Sequence, residues 1–337
     1  MSHVIKPFST TGIGSLPHTD AEDACELVLR TFDIPFWPQL PKASFRESMV
    51  PQYSEGLPYL RVNETEESVR IIRDDSDELE RFYEACPDSC RIAISKDYAK
   101  GLHAFLEKIK GRRFAAIKGH VTGPVTFALG LKDHYGRSVW FDEELREIAS
   151  MLLKAKMRWQ LDLLKPHADK VIIFIDEPIL SALGSSAYLG VDNGEVLRLL
   201  KEMSAVVEEA GGASGIHCCG RADWPLVMQS GMSVLNFDAF EYFDTLAIYH
   251  EEIRAFLQRG GYLAWGVVPT SDVINSVDEA KLTALMRENL DKLHKHLPSD
   301  LVDSRILLTP SCGTGSRSIE EATRIFQFIM RLKEALV

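Results

Sequence analysis

The chain has 337 residues, of which 45% are hydrophobic and 26% are charged, so it is long enough to bury a full core. Its net charge of −11, with no lysine- or arginine-rich run, argues against nucleic acid as a partner. No apolar stretch approaches the ~20 residues of a membrane helix, and the N-terminal residues lack the pattern of a signal peptide. We therefore expect a cytoplasmic protein with no membrane partner, whose six cysteines are thiols or metal ligands.

Eight short apolar runs alternate with longer amphipathic segments. The runs cover residues 8–17, 34–41, 113–124, 170–178, 213–220, 233–240, 262–270 and 305–313. Apolar residues at spacings of three and four predict helices at 142–167, 193–212, 278–297 and 318–337. Eight strands, most of them followed by a helix, predict an α/β fold: a single (β/α)8 TIM-barrel domain over residues 1–337. A doubly wound sheet has the same local pattern and is the alternative.

Residues 42–100, between the second and third runs, depart from this alternation. They are acidic and only weakly periodic. We expect them to form a helical and hairpin insertion on the barrel face rather than a separate domain. Within this insertion, Cys86 and Cys90 are expected to be solvated thiols, whereas Cys25, in an amphipathic segment near the N-terminus, is expected in the core.

Polar residues are concentrated where the predicted strands end. The endings read GSLPH, QLPK, GHVTGP, IDEP, IHCCG, FDAFE, VVPT and PSCGTG. Barrel enzymes build their active sites at the carboxyl ends of the strands, so we expect the functional site at this face. His120, at the end of the third run, is a catalytic candidate, as a proton carrier or a substrate contact. A hydrogen-bonded structural histidine is the alternative.

The fifth run ends in the stretch GIHCCGR, at residues 215–221. Side chains alternate along a strand, so His217 and Cys219 project to one side and Cys218 to the other. An imidazole and a thiolate on one side are two of the ligands that zinc prefers. The alternative is a buried packing role, because free cysteine is among the most buried residue types.

Further ligands of the same kind occur at the ends of other predicted strands. Cys312 follows the eighth run, and Asp238 and Glu241 follow the sixth, either of which supplies a carboxylate. Ligands scattered along the chain at the functional face favour a catalytic over a structural zinc. Two thiolates weaken zinc as a Lewis acid for water, and such a site suits holding a substrate thiol as a thiolate. The reaction that this predicts is alkyl transfer to sulfur.

Six segments carry a resemblance to a known family: TTGIGSLP, FRESMV, IKGHVTGPVTF, IDEP, IHCCG and PSCGTG, spread from residue 10 to residue 315. Together they resemble the catalytic barrel of the cobalamin-independent methionine synthases, in the uroporphyrinogen-decarboxylase-like superfamily. IHCCG is also similar to the zinc-dependent methylcobalamin:thiol methyltransferases. The resemblance implies a methyltransferase that binds zinc through His217, Cys219, Cys312 and one acid, Asp238 or Glu241. It also implies that the enzyme methylates homocysteine to methionine.

The resemblance implies substrate contacts as well. Ser15 and the backbone around Gly14 would hold the carboxylate of homocysteine. Asp176, a catalytic candidate, would hold its ammonium group with the support of Glu177; a structural carboxylate pair is the alternative for these two residues. Arg46 is a candidate partner of a substrate carboxylate, with a surface ion pair as the alternative.

Three departures from the family pattern bear on the methyl donor. The chain has no room for a second barrel, QLPKAS stands where the family has a His-Gly-Glu segment, and no histidine follows the seventh run, WGVVPTSD. That histidine would protonate the folate leaving group, so we expect a methylcorrinoid such as methylcobalamin, free or on a corrinoid protein, as the donor. Two other functions remain alternatives. One is a uroporphyrinogen-decarboxylase-like enzyme without metal, which needs clustered arginines, and the other is a non-catalytic zinc- or corrinoid-binding protein.

Overall fold

The computed structural model describes residues 5–74, 77–87 and 89–337. Ten strands lie within these residues: β1 (Ser9–Thr10), β2 (Leu60–Asn63), β3 (Ser68–Ile71), β4 (Phe114–Thr122), β5 (Lys132–Asp133), β6 (Ala168–Asp176), β7 (Ala213–Cys218), β8 (Val234–Phe237), β9 (Tyr262–Val268) and β10 (Ile306–Pro310). Seven of them form one curled sheet in the spatial order β1-β10-β9-β8-β7-β6-β4, and every neighbouring pair is parallel. The architecture is α/β and resembles a TIM barrel.

Helices follow most of these strands. In the described part of the chain they are α1 (Ala21–Thr31), α2 (Met49–Ser54), α3 (Asp77–Ala85), α4 (Lys100–Lys108), α5 (Pro124–Gly130), α6 (Glu143–Leu164), α7 (Asn193–Glu209), α8 (Trp224–Gln229), α9 (Phe243–Ala247), α10 (His250–Gln258), α11 (Glu279–His294), α12 (Ser299–Asp303) and α13 (Ile319–Leu336). The four helices predicted from periodicity are confirmed as α6, α7, α11 and α13.

Side-chain caps explain where these four helices begin. Asp142, Asp192 and Asp278 each accept a hydrogen bond from a backbone N–H in the first turn of α6, α7 and α11 respectively. Ser318 precedes α13 and forms a reciprocal capping box with Glu321. These starts are determined by short stretches of sequence, which is why the apolar spacing located them within a few residues.

The prediction of a regular second strand is wrong. Residues 34–41 make only isolated bridges, from Phe36 to Lys118 of β4 and from Gln39 to Ser15 after β1. The reason is the proline spacing in IPFWPQLP, because proline donates no backbone hydrogen bond and interrupts a ladder. This segment therefore lies between β1 and β4 without closing the sheet into a continuous eight-stranded barrel.

The central strands are buried on both faces, as expected for a parallel sheet. On β6, Ile172 and Phe174 belong to a small cluster made of strand and loop residues, whereas Ile173 and Ile175 belong to the large cluster that packs against the helices. The face that carries Ile172 and Phe174, away from the helices, is the inward face of the curled sheet. Because side chains alternate along a strand, His120 on β4, Asp176 on β6 and His217 on β7 lie on this face.

The insertion contains the helices and hairpin that were predicted, as far as it is described. β2 pairs with β3 in antiparallel register, and β3 pairs in parallel with β5, which follows α5. The expectation that Cys86 and Cys90 are solvated thiols is wrong, because Cys86 is buried and forms a disulfide with Cys90. Cys25 is in the core, as expected. None of the described helices is long and apolar enough to cross a membrane.

Candidate metal centre

Three predicted zinc ligands meet at the carboxyl end of the sheet. His217 is on β7, Cys219 follows that strand directly, and Cys312 follows β10. One ligand atom from each of the three lies within 4.8 Å of the others. His217 is buried, while Cys219 and Cys312 are partly accessible. An imidazole and two thiols from two separate strands thus form a compact group at the face where barrel enzymes carry their active sites.

The tautomer of His217 is determined by Asn236 on β8. Nδ1 of His217 lies 2.5 Å from Oδ1 of Asn236. The amide of Asn236 donates to the Ala264 carbonyl at 2.8 Å and to Oγ1 of Thr309 at 2.7 Å. Because a carbonyl can only accept, the amide nitrogen must face Ala264 and the amide oxygen must face His217. His217 therefore carries its proton on Nδ1, and the lone pair of Nε2 is available.

Nε2 of His217 is buried and has no hydrogen-bond partner among the described residues. A buried, unpaired nitrogen costs about 1–3 kcal/mol, and a bound metal ion would offset that cost. In metal-bound histidines, one ring nitrogen binds the metal and the other donates its N–H to an oxygen. His217 has this arrangement, with Nδ1 donating to Asn236 and Nε2 free to bind a metal. The residues present therefore fit a zinc ion held by nitrogen and two sulfurs.

The two cysteines differ in charge. A hydrogen bond from the Cys312 thiol and the nearby imidazole of His217, acting against burial, hold the pKa of Cys219 far below its ordinary value. The neighbouring Cys219 thiolate and burial raise the pKa of Cys312 well above its ordinary value. Cys219 is thus the thiolate of the pair and Cys312 the thiol. The thiolate is the form that binds metals, so Cys219 is ready for coordination.

The acidic ligand predicted for this centre is outside the group of three. Oδ1 of Asp238 accepts from the backbone N–H groups of Phe240 and Glu241, both at 2.9 Å. Burial raises the pKa of Asp238 to about 6, and the charge of Cys219 contributes to that rise. Glu241 is exposed. Asp238 is therefore the buried one of the two predicted acids, and the choice between them stays a prediction.

Asp176 ends β6 beside His217 and is buried. Its Oδ1 has no partner in the described part of the chain. Burial raises its pKa to about 6, against the charges of His217 and Lys118, which lower it. Lys118 is fully buried on the inward face of β4, where Nζ donates to the Ile13 carbonyl at 2.5 Å. Asp176 is therefore an unpaired hydrogen-bond acceptor, to which a cationic group of a ligand can donate.

Glu177 follows Asp176 in the chain, but protein groups engage both of its oxygens. Its two oxygens accept from the backbone N–H groups of Val125 and Thr126, each at 2.8 Å, and from the Thr126 hydroxyl at 2.6 Å. These are the first residues of α5, whose free N–H groups need partners. Glu177 thus supports the loop after β4, and its predicted part in substrate binding stays a prediction.

Ser15 and Arg46 are both engaged by protein groups. Oγ of Ser15 accepts from the Gly315 N–H at 3.3 Å, which ties the end of β1 to the loop that carries Cys312. Arg46 bonds Glu64 at 2.6 Å and lies over the ring of Tyr98. The structure thus shows the ion-pair alternative for Arg46, and its contact with substrate stays a prediction.

His120 lies on the inward face near the end of β4 and is 1% exposed. Its ring stacks on Trp37, with centroids 3.8 Å apart, and neither ring nitrogen has a partner within the described ranges. Gly14 lies beside the ring, and a Cβ there would lie 3.1 Å from ring atoms of His120, a tight contact. His120 therefore lies on the same face of the sheet as Asp176 and His217, but two strands away from His217.

Sequence reasoning missed Asn236, Lys118 and Trp37. Two of them carried a readable signal: Asn236 stands two residues before Asp238 and Lys118 two before His120, so period two places each on the inward face of its strand. A polar residue inside an apolar strand needs a buried partner. Trp37 carried no such signal, because its contact with His120 joins two segments that are distant in sequence.

The chain shares its fold with a solved methionine synthase. The similar structure is a B12-independent methionine synthase from Shewanella sp. W3-18-1 in complex with selenomethionine. The TM-score is 0.63 and the identity 16%, and the match covers 98% of each chain. No family model matches the chain, and no curated protein matches it. At this identity the likeness establishes the fold alone.

Proposed function

We propose that this protein is a zinc-dependent methyltransferase that transfers a methyl group to the sulfur of homocysteine and forms methionine. The observation that carries the proposal is the convergence of His217, Cys219 and Cys312 at the carboxyl end of the sheet, where one ligand atom of each lies within 4.8 Å of the others. Nε2 of His217 has no hydrogen-bond partner among the described residues. The shared fold supports it, because a solved methionine synthase has the same architecture. The protein would belong to the cytoplasm, as expected from the sequence.

His217, Cys219 and Cys312 would hold the zinc, with Asp238 or Glu241 as the fourth ligand that the sequence predicts. When bound, zinc would lower the pKa of the substrate thiol, so that the sulfur is a nucleophilic thiolate at neutral pH. In the reaction, the sulfur forms a bond to the methyl carbon as the bond from that carbon to the donor breaks, and the donor keeps the electron pair.

Asp176 supports an amino-acid thiol as the substrate. It is buried next to His217, and its unpaired oxygen matches the ammonium group of homocysteine. A charged hydrogen bond of this kind contributes about 1.5–3 kcal/mol, and it orients the rest of the substrate toward the metal ligands. A protein that only stored zinc or a corrinoid would have no use for this contact.

The methyl donor stays a prediction from the sequence. No histidine follows β9, which argues against methyltetrahydrofolate and led us to expect methylcobalamin. The comparison does not support a cobalamin donor, because the similar structure is described as B12-independent. Both donors therefore belong in the assay.

The first experiment measures zinc by atomic absorption in purified wild type, Cys219→Ala and Cys218→Ala. Cys218 is the matched control, because it is the adjacent cysteine, is buried and projects to the other side of β7. We expect about one zinc per chain in wild type and Cys218→Ala, and much less in Cys219→Ala. Zinc that is absent from wild type after supplementation, or unchanged in Cys219→Ala, contradicts the proposed centre.

The second experiment measures methionine formation from homocysteine with methylcobalamin or methyltetrahydrofolate. Zinc-loaded wild type should be active with one donor, and Asp176→Asn should lose about tenfold or more in kcat/KM with retained zinc. Zinc-loaded protein that is inactive with both donors favours the zinc- or corrinoid-binding alternative. Uroporphyrinogen decarboxylation by metal-free protein would instead establish the decarboxylase alternative.

A further inference from the structure

The disulfide between Cys86 and Cys90 stands apart from the other cysteines of the chain. All six cysteines lie in the described ranges, and four of them are free: Cys25, Cys218, Cys219 and Cys312. In the cytoplasm, where the sequence leads us to expect this protein, disulfides are usually transient and take part in catalysis or redox sensing. A bridge in a chain that otherwise keeps its thiols is therefore a candidate for reversible reduction.

The bridge closes a short loop at the end of α3. The N–H of Cys86 donates to the Phe82 carbonyl at 2.9 Å, and the N–H of Cys90 donates to the Pro87 carbonyl at 2.8 Å. The two cysteines are four residues apart in the chain. A bridge across a short loop removes less entropy from the unfolded chain than a bridge across a long one. Its reduction is therefore compatible with a folded protein.

Helix α3 depends on few other contacts. Of its nine residues, only Phe82 is buried. Glu78 adds polar contacts, because its carboxylate accepts from the Tyr59 N–H and from Arg61. A helix of this length is marginal in water without tertiary contacts. Loss of the bridge is therefore expected to loosen α3 locally, while the longer helices keep their packing.

The two cysteines differ in how easily a reagent reaches them. Cys86 is 2% exposed, whereas Cys90 is only partly buried. A cavity of about 150 Å³ lies beside the bridge, and its walls are formed by Cys86, Pro87, Cys90 and three residues of α6, Met151, Lys154 and Arg158. Thiol–disulfide exchange requires access to the sulfur that is attacked. Attack is therefore expected at Cys90, with Cys86 as the leaving group.

The cavity also brings positive charge to the bridge. Lys154 and Arg158 are about one helical turn apart on α6, and both line the cavity. Lys154 is also paired with Glu202 on α7 at 2.9 Å. A cationic side chain near a cysteine lowers the pKa of its thiol, and a disulfide whose leaving thiol has a low pKa is cleaved faster. The surroundings thus favour cleavage of the bridge by a thiolate.

We propose that Cys86 and Cys90 form a thiol–disulfide exchange site whose substrate is a dithiol reductant. In the first step, a thiolate of the reductant bonds to the Cys90 sulfur, and the S–S bond breaks with its electron pair on Cys86, which takes up a proton. The second thiolate of the reductant then attacks the mixed disulfide, forms the reductant's own disulfide and releases the Cys90 thiolate, which is protonated. A small disulfide such as oxidised glutathione reverses both steps. No step uses the metal centre.

The test follows the tryptic peptide of residues 82–91, which contains both cysteines, by mass spectrometry after alkylation. Dithiothreitol should reduce the pair in native wild type without unfolding it, and oxidised glutathione should restore the bridge. On reduction, amide hydrogen exchange in α3 should become about tenfold or more faster, while exchange in α7 stays the same. A bridge that is reduced only on unfolding, that does not form again, or whose loss leaves exchange in α3 unchanged overturns the assignment.

Serine variants identify the attacked sulfur and serve as controls. In Cys86→Ser, the remaining Cys90 should form a mixed disulfide with oxidised glutathione about tenfold or more faster than Cys86 does in Cys90→Ser. The double serine variant should show the fast exchange in α3 with or without dithiothreitol. Equal rates in the two single variants, or a response of the double variant to dithiothreitol, overturn the assignment. These outcomes leave the proposed function standing, because zinc content and methionine formation are measured separately.

Discussion

Replacing Asn236 with alanine is expected to weaken zinc binding by about 10- to 100-fold. In the native chain Asn236 accepts from Nδ1 of His217 and donates to the Ala264 carbonyl and to Thr309. Without that acceptor, the buried Nδ1–H costs about 1–3 kcal/mol, and His217 relieves this cost by turning its ring or moving its proton to Nε2. Either change opposes coordination, and 1.4 kcal/mol corresponds to tenfold in affinity.

The assay is competition for zinc with a chelator of known affinity, on proteins whose thermal unfolding is followed in parallel. Asn236→Asp is the matched variant, because its carboxylate still accepts from His217 but its second oxygen faces the Ala264 carbonyl. It should lose about 1–3 kcal/mol of unfolding free energy while keeping zinc affinity within about threefold of wild type. Unchanged zinc affinity in Asn236→Ala would refute the tautomer argument.

Three further predictions concern other parts of the molecule. Gly14→Ala should lower the free energy of unfolding by about 1–3 kcal/mol, because the added Cβ lies 3.1 Å from the His120 ring, which is buried and stacked on Trp37 and has little room to move; thermal unfolding that matches wild type would contradict this. Burial lowers the pKa of Lys156 to about 8, so the unfolded chain binds more protons from pH 8 to 10.5 and stability contributed by this group rises across that window. Lys156→Met should therefore be more stable than wild type at pH 7 by up to about 3 kcal/mol, with a gain that shrinks toward pH 10.5 in denaturant titrations. For the disulfide, thiol titration of denatured protein should count two more thiols after reduction, and replacing Cys86 and Cys90 by serine should cost about 2 kcal/mol; equal thiol counts would show that the bridge is absent.

Local sequence patterns were enough for the helices and for most of the sheet. Helices α6, α7, α11 and α13 begin at caps and follow apolar spacings that are all contained in short windows. The prediction of a second strand was wrong for an equally local reason, since its prolines cannot donate backbone hydrogen bonds to a neighbouring strand. The strand was predicted from its apolar residues alone, without regard to these prolines.

For the candidate site, part of the residues could be found from the sequence and part could not. Period two placed His217 and Cys219 on one side of a strand, and the same rule would have found Asn236 and Lys118. The disulfide between Cys86 and Cys90 was misjudged, because an acidic composition does not show that α3 ends against the core.

By itself, therefore, the sequence determined the types of element, the alternation of strands and helices, and the side of each strand that a polar residue occupies. Only the tertiary structure decided which of those residues meet. Cys312 reaches Cys219 from another strand, Trp37 covers His120, and Asn236 orients His217, and each contact joins segments far apart in the chain. The physical reason is that periodicity reports the direction of a side chain, whereas its neighbours depend on strand order and register across the whole sheet.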